Sequence, residues 1–342
     1  MFCTWPAGFR SGGVNQNCIR WCAWCLLSAF AIGSGLVAAA TWGPDKTVEI
    51  VIPSGPASGT DTIGREMQNV LAAKKFVQVS MLAVNKAGGG GALGLYYLNQ
   101  HPKDGHFLYV TSPTFLTSII TGTVTAKYTD VTPLAQLFNE YVVLFAAPDS
   151  KIRDARDLME RLRRDPASIS IGLATALGNA NHIAVASAVR AAGGDPKQLK
   201  IVVFKSGGEG LAATLGGHVD INVIGAVAVI PYLQSGKLKP LAITSPKRLG
   251  GALASVPTLV EQGINSVSGQ WRGIVGPKGM TELQIDYWDR VFFQLAKTDE
   301  WTSLLEANAW SGTYMNSAES KKFLEAEFQE LKTTLTHLGL AK

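Results

Sequence analysis

The sequence predicts an α/β fold with mostly parallel sheets, arranged as two lobes. Three observations carry this reading. Strand-like and helical runs alternate almost throughout. The roughly 300 residues that follow the first forty are enough to bury a large core. Residues 48–70 read as a strand, a turn of small residues and then a helix. In open α/β sheets the loops at the carboxyl ends of the strands make the site.

The first forty residues stand apart. Arg10 and Arg20 are their only charged side chains, and the uncharged stretch from Trp21 ends Leu36-Val37-Ala38-Ala39-Ala40. A basic start, an apolar middle and a small-x-small end describe a secretory signal over 1–40, cleaved after Ala40. The alternative is an uncleaved anchor, because twenty uncharged residues just span a bilayer. Neither Cys22 nor Cys25 follows the pattern of a lipid-attachment site. All four cysteines, Cys3, Cys18, Cys22 and Cys25, fall in this segment. The remaining chain therefore has no disulfide, catalytic thiolate or cysteine metal site. Without Arg10 and Arg20 it carries 29 basic and 26 acidic residues, a net charge of +3. That excess suits an anionic ligand but is too small and scattered for nucleic acid. The densest basic cluster, Arg161, Arg163 and Arg164, reads as a solvated helix face.

Strands are predicted at 48–52, 77–83, 106–111, 141–147, 169–173, 200–204, 219–224, 239–244 and 271–275. Helices are predicted at 61–74, 91–100, 154–164, 181–192, 208–216, 227–235, 256–262, 281–298, 299–307 and 317–337. The first strand is β-branched and ends at Pro53, which cannot donate into a ladder. Ser54, Gly55, Ala57, Ser58 and Gly59 keep side-chain bulk low. Thr60 or Asp61 then supplies an oxygen to the first amides of a helix carrying Ile63, Met67, Val70 and Leu71. Free amides reached through an uncrowded loop form an anion site. Two further strand–loop–helix junctions share this character: residues 172–182, with Thr175, Gly178, Asn179, Asn181 and His182, and residues 204–210, with Ser206 and Gly207. They offer amides and short polar side chains, which hold a ligand without transforming it. Ordinary βα connections also carry Gly and Ser.

Catalytic and cofactor patterns fail one by one. Gly89-Gly90-Gly91-Ala92-Leu93-Gly94 fits Gly-x-Gly-x-x-Gly, yet the next strand ends Val110-Thr111-Ser112 without the acidic residue a dinucleotide site needs. Gly236-Lys237 lacks the rest of a phosphate-binding loop. There is no Gly-x-Ser-x-Gly and no His-Glu-x-x-His. The histidines, His101, His106, His182, His218 and His337, show no metal-ligand spacing. No enzyme activity, cofactor or metal is predicted.

The motifs that remain resemble one family over residues 48–335. They are Pro53 and Ser58-Gly59-Thr60-Asp61; Asn85-Lys86-Ala87-Gly88-Gly89-Gly90-Gly91; Pro102-Lys103-Asp104-Gly105; and Phe204-Lys205-Ser206-Gly207. Leu215-Gly216-Gly217-His218-Val219-Asp220, the run 235–245, Val256-Pro257-Thr258-Leu259 and Trp271-Arg272-Gly273 complete the series. In order and spacing they are similar to the periplasmic receptors of tripartite tricarboxylate transporters, which include the Bug receptors. The resemblance implies a two-lobed periplasmic binding fold, type II-like, with a cleft that closes on a small carboxylate. It implies a discontinuous lobe I (41–144 and 243–342) and a lobe II (145–242). The strand crossings fall near 144–147 and 241–244.

Carried over from the family, the first-loop contacts are Ala57, Ser58, Gly59, Thr60 and Asp61. The second-lobe contacts fall among Thr175, Gly178, Asn179, Asn181 and His182. Asp61 serves better as a helix cap than as a neighbour of an anion, and His182 as a local cap or packing residue. Lys205 either offsets ligand charge or snorkels beside its strand. Trp271 belongs to the core. Arg272 either clamps a second carboxylate or is an exposed strand-end arginine. The chain departs from the family where Ser54 replaces an aromatic, where Ala57 and Ser58 replace glycines, at Leu173, Leu177 and Gly178, and where Ile224 or Gly225 replaces an acid. The expected partners are a small organic carboxylate and the membrane subunits of a transporter, with no nucleic acid and a monomeric chain. A sensor subunit for a membrane kinase and a secreted enzyme are the alternative classes. Mass spectrometry of periplasmic protein is expected to find a chain beginning near Thr41; an intact 1–40 segment would show an anchor instead.

Overall fold

The β-branched run at the start of the body forms the strand its residues predict. In a computed structural model, which describes Gly8 and residues 41–342 apart from Ala57, Thr175, Ala176 and Lys205, Val48–Ile52 (β1) is a buried strand. The leader expected over 1–40, with its cysteines, and the roles expected of Ala57, Thr175 and Lys205 lie outside the described residues. β1 pairs in parallel with Met81–Asn85 (β2) and Phe107–Thr111 (β3). Gly59–Ala73 (α1) returns from the end of β1 and buries Ile63, Met67 and Leu71 at helical spacing. Ala92–Asn99 (α2) and Pro113–Ile120 (α3) follow β2 and β3.

Val131–Ala146 (β4) then runs for 16 residues and is the longest strand. After it come Ala155–Arg164 (α4), Ser170–Ala174 (β5), Ala180–Ala191 (α5), Lys200–Phe204 (β6), Gly207–Leu215 (α6), Ile221–Gly225 (β7), Ala226–Gln234 (α7) and Lys239–Ile243 (β8). The chain closes with Gly269–Pro277 (β9), Glu282–Ala296 (α8), Asp299–Ala307 (α9), Ser311–Met315 (β10) and Ser317–His337 (α10). Residues 42–342 form one compact unit. Among the described residues no helix is long and apolar enough to cross a membrane.

The sheet is mixed rather than mostly parallel. β5 lies between β6 and β7, parallel to both, repeating the β2–β1–β3 arrangement. All pairs made by β4 are antiparallel: with β9 along residues 131–141, with β7 and β8 along 142–146, and with β10 near Phe138. The β6–β5–β7 triplet thus joins β4 through β7, and the β2–β1–β3 triplet joins it through β9, which pairs β3 in antiparallel. The strand expected at 141–147 is only the second half of β4. Its first half contains Pro133, and the β9 register shifts there between Pro133 and Ala135, as a residue without an N–H requires. α3 and β10 have no counterpart in the sequence expectations. The helix expected at 256–262 is a single 3-10 turn, Val260–Gln262, because Thr258 bridges Ile243 in extended form.

Apolar faces close on both halves. Ile171, Leu173, Ile221 and Val223 pack with Leu158, Leu162, Val185 and Val189 of α4 and α5. Ile50, Ile52, Leu108 and Phe138 pack with α1 and with Trp288, Phe292 and Trp301 of α8 and α9. At the crossing between the halves stands Thr244, fully buried. Its Oγ1 accepts from Val142 N at 3.1 Å and donates to Ser268 O at 2.7 Å. It thereby ties β4 to the segments after β8 and before β9. Thr244→Val keeps the shape and leaves the buried Val142 amide and the half-buried Ser268 carbonyl without this partner, at about 1–3 kcal/mol for a buried group. Urea denaturation is expected to show a loss of about 2–4 kcal/mol for Thr244→Val and most of it restored in Thr244→Ser.

Candidate functional site

The carboxyl ends of β1 and β3 open onto the first loop. Ser58, extended at φ −81° and ψ 164°, is the N-cap of α1, and its Oγ accepts from Asp61 N at 3.3 Å. Neither Thr60 nor Asp61 caps the helix, contrary to expectation: the chain enters helical geometry two residues earlier than the sequence suggested. The amides of Gly59 and Thr60 are first-turn donors with no acceptor inside the helix. The hydroxyls of Ser54, Ser58 and Thr60 cluster, with Ser54 Oγ bonded to both others. Ser54 and Thr60 line a cavity of about 280 Å³ with Gly88, Gly90, Gly91, Tyr109, Ser112 and Thr114. Four consecutive glycines, Gly88 to Gly91, have positive φ, which only glycine adopts freely. Tyr109 and Ser118 hydroxyls fasten the carbonyls of Gly91 and Gly90. The run that fits a weak dinucleotide pattern is therefore a cavity wall.

Asp61 points elsewhere. It is buried, and its carboxylate accepts from Arg65 Nε at 3.0 Å and Asn85 Nδ2 at 2.8 Å. Asn85 also donates to Ser54 O, so this network shapes the loop from behind.

Arg272 overturns the expectation of an exposed strand-end residue. It sits within β9 at 8% exposure. Its Nη1 donates to the carbonyls of Gln270 and Trp271, each at 3.0 Å, and its Nη2 to Glu140 Oε2 at 3.2 Å. A Cβ added to Gly59 would lie 3.6 Å from Nη2. The guanidinium therefore lies beside the start of α1. Burial disfavours the charge on Arg272, and it raises the pKa of Glu140 against the pull of the guanidinium. Each charge is held chiefly by the other. Glu140 in turn lies against the start of α7, where a Cβ on Gly225 would meet Oε1 at 2.7 Å. That helix has no side-chain cap.

The second loop reaches the same strand. Asn179 caps α5 by accepting from His182 N. Asn181 Oδ1 accepts from Gln270 Nε2 at 3.1 Å, next to Arg272 in β9. His182 is buried, and its Nδ1 accepts from Gly178 N at 2.9 Å. Burial lowers its pKa, so it is a neutral ring that closes its own loop, the local role expected of it. Gly178 adopts φ +79° there. In the third loop Ser206 caps α6 through Glu209 N, and Gly207 packs on Ile224.

Ser58, Gly59, Thr60, Arg272 and Asn181 are thus linked along a path through Gln270. Ser206 and Gly207 join only through Ile224 at the end of β7. Asp61 and His182 face their own loops. Glu140 and Gln270 went unmarked because their role depends on the β4–β9 register, which pairs them opposite each other. Trp271 is core, as expected, with its Nε1 bonded to Glu327. A larger cavity of about 580 Å³, walled by α5, α10 and Trp271, contains none of the expected site residues. Among the described residues no group of acidic, His or Cys side chains is placed to hold a metal.

Comparison with known proteins identifies the fold and the family. A TctC solute binding protein from Polaromonas superposes with a TM-score of 0.75 at 22% identity, over 86% of this chain and 99% of that one. The periplasmic binding protein BugD gives 0.67 at 21% identity, over 87% and 99%. MatC from Rhodopseudomonas palustris, solved with malate, gives 0.64 at 22% identity, over 85% and 99%. The fold is that of a periplasmic binding protein. In sequence the chain is 24% identical to the protein BugT of Bordetella pertussis over 69% of this chain and 72% of the relative. It is 26% identical to a protein from the tcbD-tcbE intergenic region of Pseudomonas sp. strain P51, over 69% of each. The model of the tripartite tricarboxylate transporter family receptor, TctC, matches residues 63–340, and the chain belongs to that family of solute-binding receptors.

Proposed function

We propose that this chain is an exported receptor that captures a small organic carboxylate and delivers it to the membrane subunits of a tripartite transporter. The observation that carries the reading is the meeting of the α1 N-terminus with the buried Arg272. A guanidinium beside two unshared first-turn amides is a site for a carboxylate. Two relatives of the same fold support the ligand class: MatC holds malate and another R. palustris protein holds adipate. The donors of the site come from Ser58, Gly59, Thr60 and Arg272 on one side and from the α5 and α6 starts, with Asn179, Asn181, Ser206 and Gly207, on the other. We assign the first side to a lobe of residues 41–144 and 243–342 and the second to a lobe of residues 145–242. Closure is a hinge motion at the Thr244 crossing, driven by contacts that only the closed form makes with the ligand. Residues 1–40 act as the export signal, and the receptor works as a monomer in the periplasm.

A thermal-shift screen over a carboxylate library tests the reading, since binding to the native state raises apparent stability. The expected result is a shift with at least one small carboxylate and none with neutral or cationic analogues; no shift with any carboxylate would sink it. Substitution of Gly59 locates the anion. Alanine fits, because its Cβ stands 3.6 Å from Arg272 Nη2. Valine adds branches that push the guanidinium away from the amides. Calorimetry is expected to show Gly59→Ala binding within a few-fold of wild type and Gly59→Val with binding abolished. Equal affinity of all three would place the anion elsewhere. Arg272→Met removes the fork and strands Glu140, which typically costs about 3–5 kcal/mol. Its stability loss at neutral pH is expected to shrink as pH falls, because Glu140, whose pKa is already raised, then takes up a proton. A loss below about 1 kcal/mol at every pH would mark a surface arginine.

A further inference from the structure

We infer that Glu140 sets the charge of the ligand: the cleft accepts one carboxylate as an anion, and a second ionised carboxylate beside Arg272 only together with a proton. This rests on the reading of the cleft as a carboxylate site and concerns how that site discriminates among acids.

Arg272 is not a free cation awaiting a ligand. Both of its Nη1 hydrogens are taken by main-chain carbonyls, and Nη2 divides between Glu140 Oε2 and the open side at Gly59. One ligand oxygen at the α1 amides can take that open Nη2 hydrogen, and no protein group has to move. A second ligand carboxylate that seeks the guanidinium finds the place held by Glu140. Glu140 cannot withdraw far, because its Oε1 already lies against Gly225 at the start of α7. Its side chain is 20% exposed, so its charge is only partly screened. Two like charges about 4 Å apart in such a half-buried setting lower affinity on the order of a thousandfold. Protonation of Glu140 removes the repulsion and turns it into a donor for the incoming oxygen. The raised pKa of Glu140, caused by burial, already inclines it that way.

Among the described residues no other group around Glu140 supplies this behaviour. From β9 the only ionisable neighbour is Arg272. The β7–α7 turn brings Gly225, Ala226 and Val227, none of which titrates. On β4 the adjacent Tyr141 has a pKa raised by burial and stays neutral. Farther along the cleft Asp61 is paired with Arg65, and His182 is a buried neutral ring.

The test uses acids of matched length, hexanoate with adipate and butyrate with succinate, and full-length mature protein. Calorimetry in buffers of differing ionisation enthalpy counts protons between pH 6.5 and 8.5, where both diacids are dianions. Wild type is expected to bind the monoacids with no proton uptake. It binds the diacids with uptake approaching one proton and with affinity rising toward tenfold per unit fall in pH, or rejects them. Glu140→Gln keeps size and an acceptor but no charge. It is expected to bind the diacids without proton uptake and to shift the preference for diacid over monoacid at pH 7.5 at least tenfold toward the diacid. Diacid binding by wild type without proton uptake overturns the inference and needs no variant. So does a Glu140→Gln variant whose preference between mono- and diacids is unchanged. Failure of the whole carboxylate library in the thermal-shift screen would overturn the carboxylate reading itself, and this inference with it.

Discussion

A strand shared by two sheets needs partners for its backbone on either edge, and β4 has four different ones. β9 takes its first eleven residues on one edge, β10 lies on the other near Phe138, and β7 and β8 flank the last five. Buried amides and carbonyls without partners cost enough that such a strand cannot shift register. The two parallel triplets, each with its own apolar core, are joined through this strand, one by way of β7 and the other by way of β9. The candidate contacts on the helix starts are placed by the ends of those triplets, and Arg272 by β9 between them.

The same pairing explains how two charges come to rest side by side inside the sheet. Glu140 lies opposite Gln270 in the β4–β9 ladder, and Arg272 follows two residues along the same face of β9. The ion pair thus joins residues 132 apart in sequence. Taken alone, either charge would be costly to bury. Together, with Nη1 also satisfied by two carbonyls, they persist. A buried pair of this kind adds little to net stability but fixes the direction in which the remaining Nη2 donor points. For the site we propose that direction is what matters, because a ligand must find its donors already placed.

In the proposed site the helix starts supply the other half of the chemistry. α1, α5 and α6 each carry a short polar cap, Ser58, Asn179 and Ser206, at the end of a parallel strand. Such caps satisfy one early amide and leave the ones before it pointing outward. Asp61 and His182 belong to a different class of residue. They hold their loops, one by accepting from Arg65 and Asn85, the other by accepting from Gly178. Their types are those of ligand contacts, yet their bonds are spent within the chain.

The sequence by itself determined what short-range physics controls. The β-branched run before Pro53, the small residues after it and the apolar spacing of Ile63, Met67 and Leu71 mark a strand, a loop and a helix without reference to distant residues. The ordered motifs from Pro53 to Gly273 determined the family. Only the tertiary structure decided the rest. The first half of β4, with Pro133 inside it, and β10, five residues that include Gly312, become strands because neighbours from far along the chain pair with them. Thr60 and Asp61 look as able as Ser58 to cap α1, and the choice followed from where the chain leaves β1. Whether Arg272 is a surface residue or a buried donor depends on whether a carboxylate lies across the ladder, and Glu140 carries no local mark of its position. Burial of charge is a property of the assembled sheet, so no window of sequence around either residue contains it.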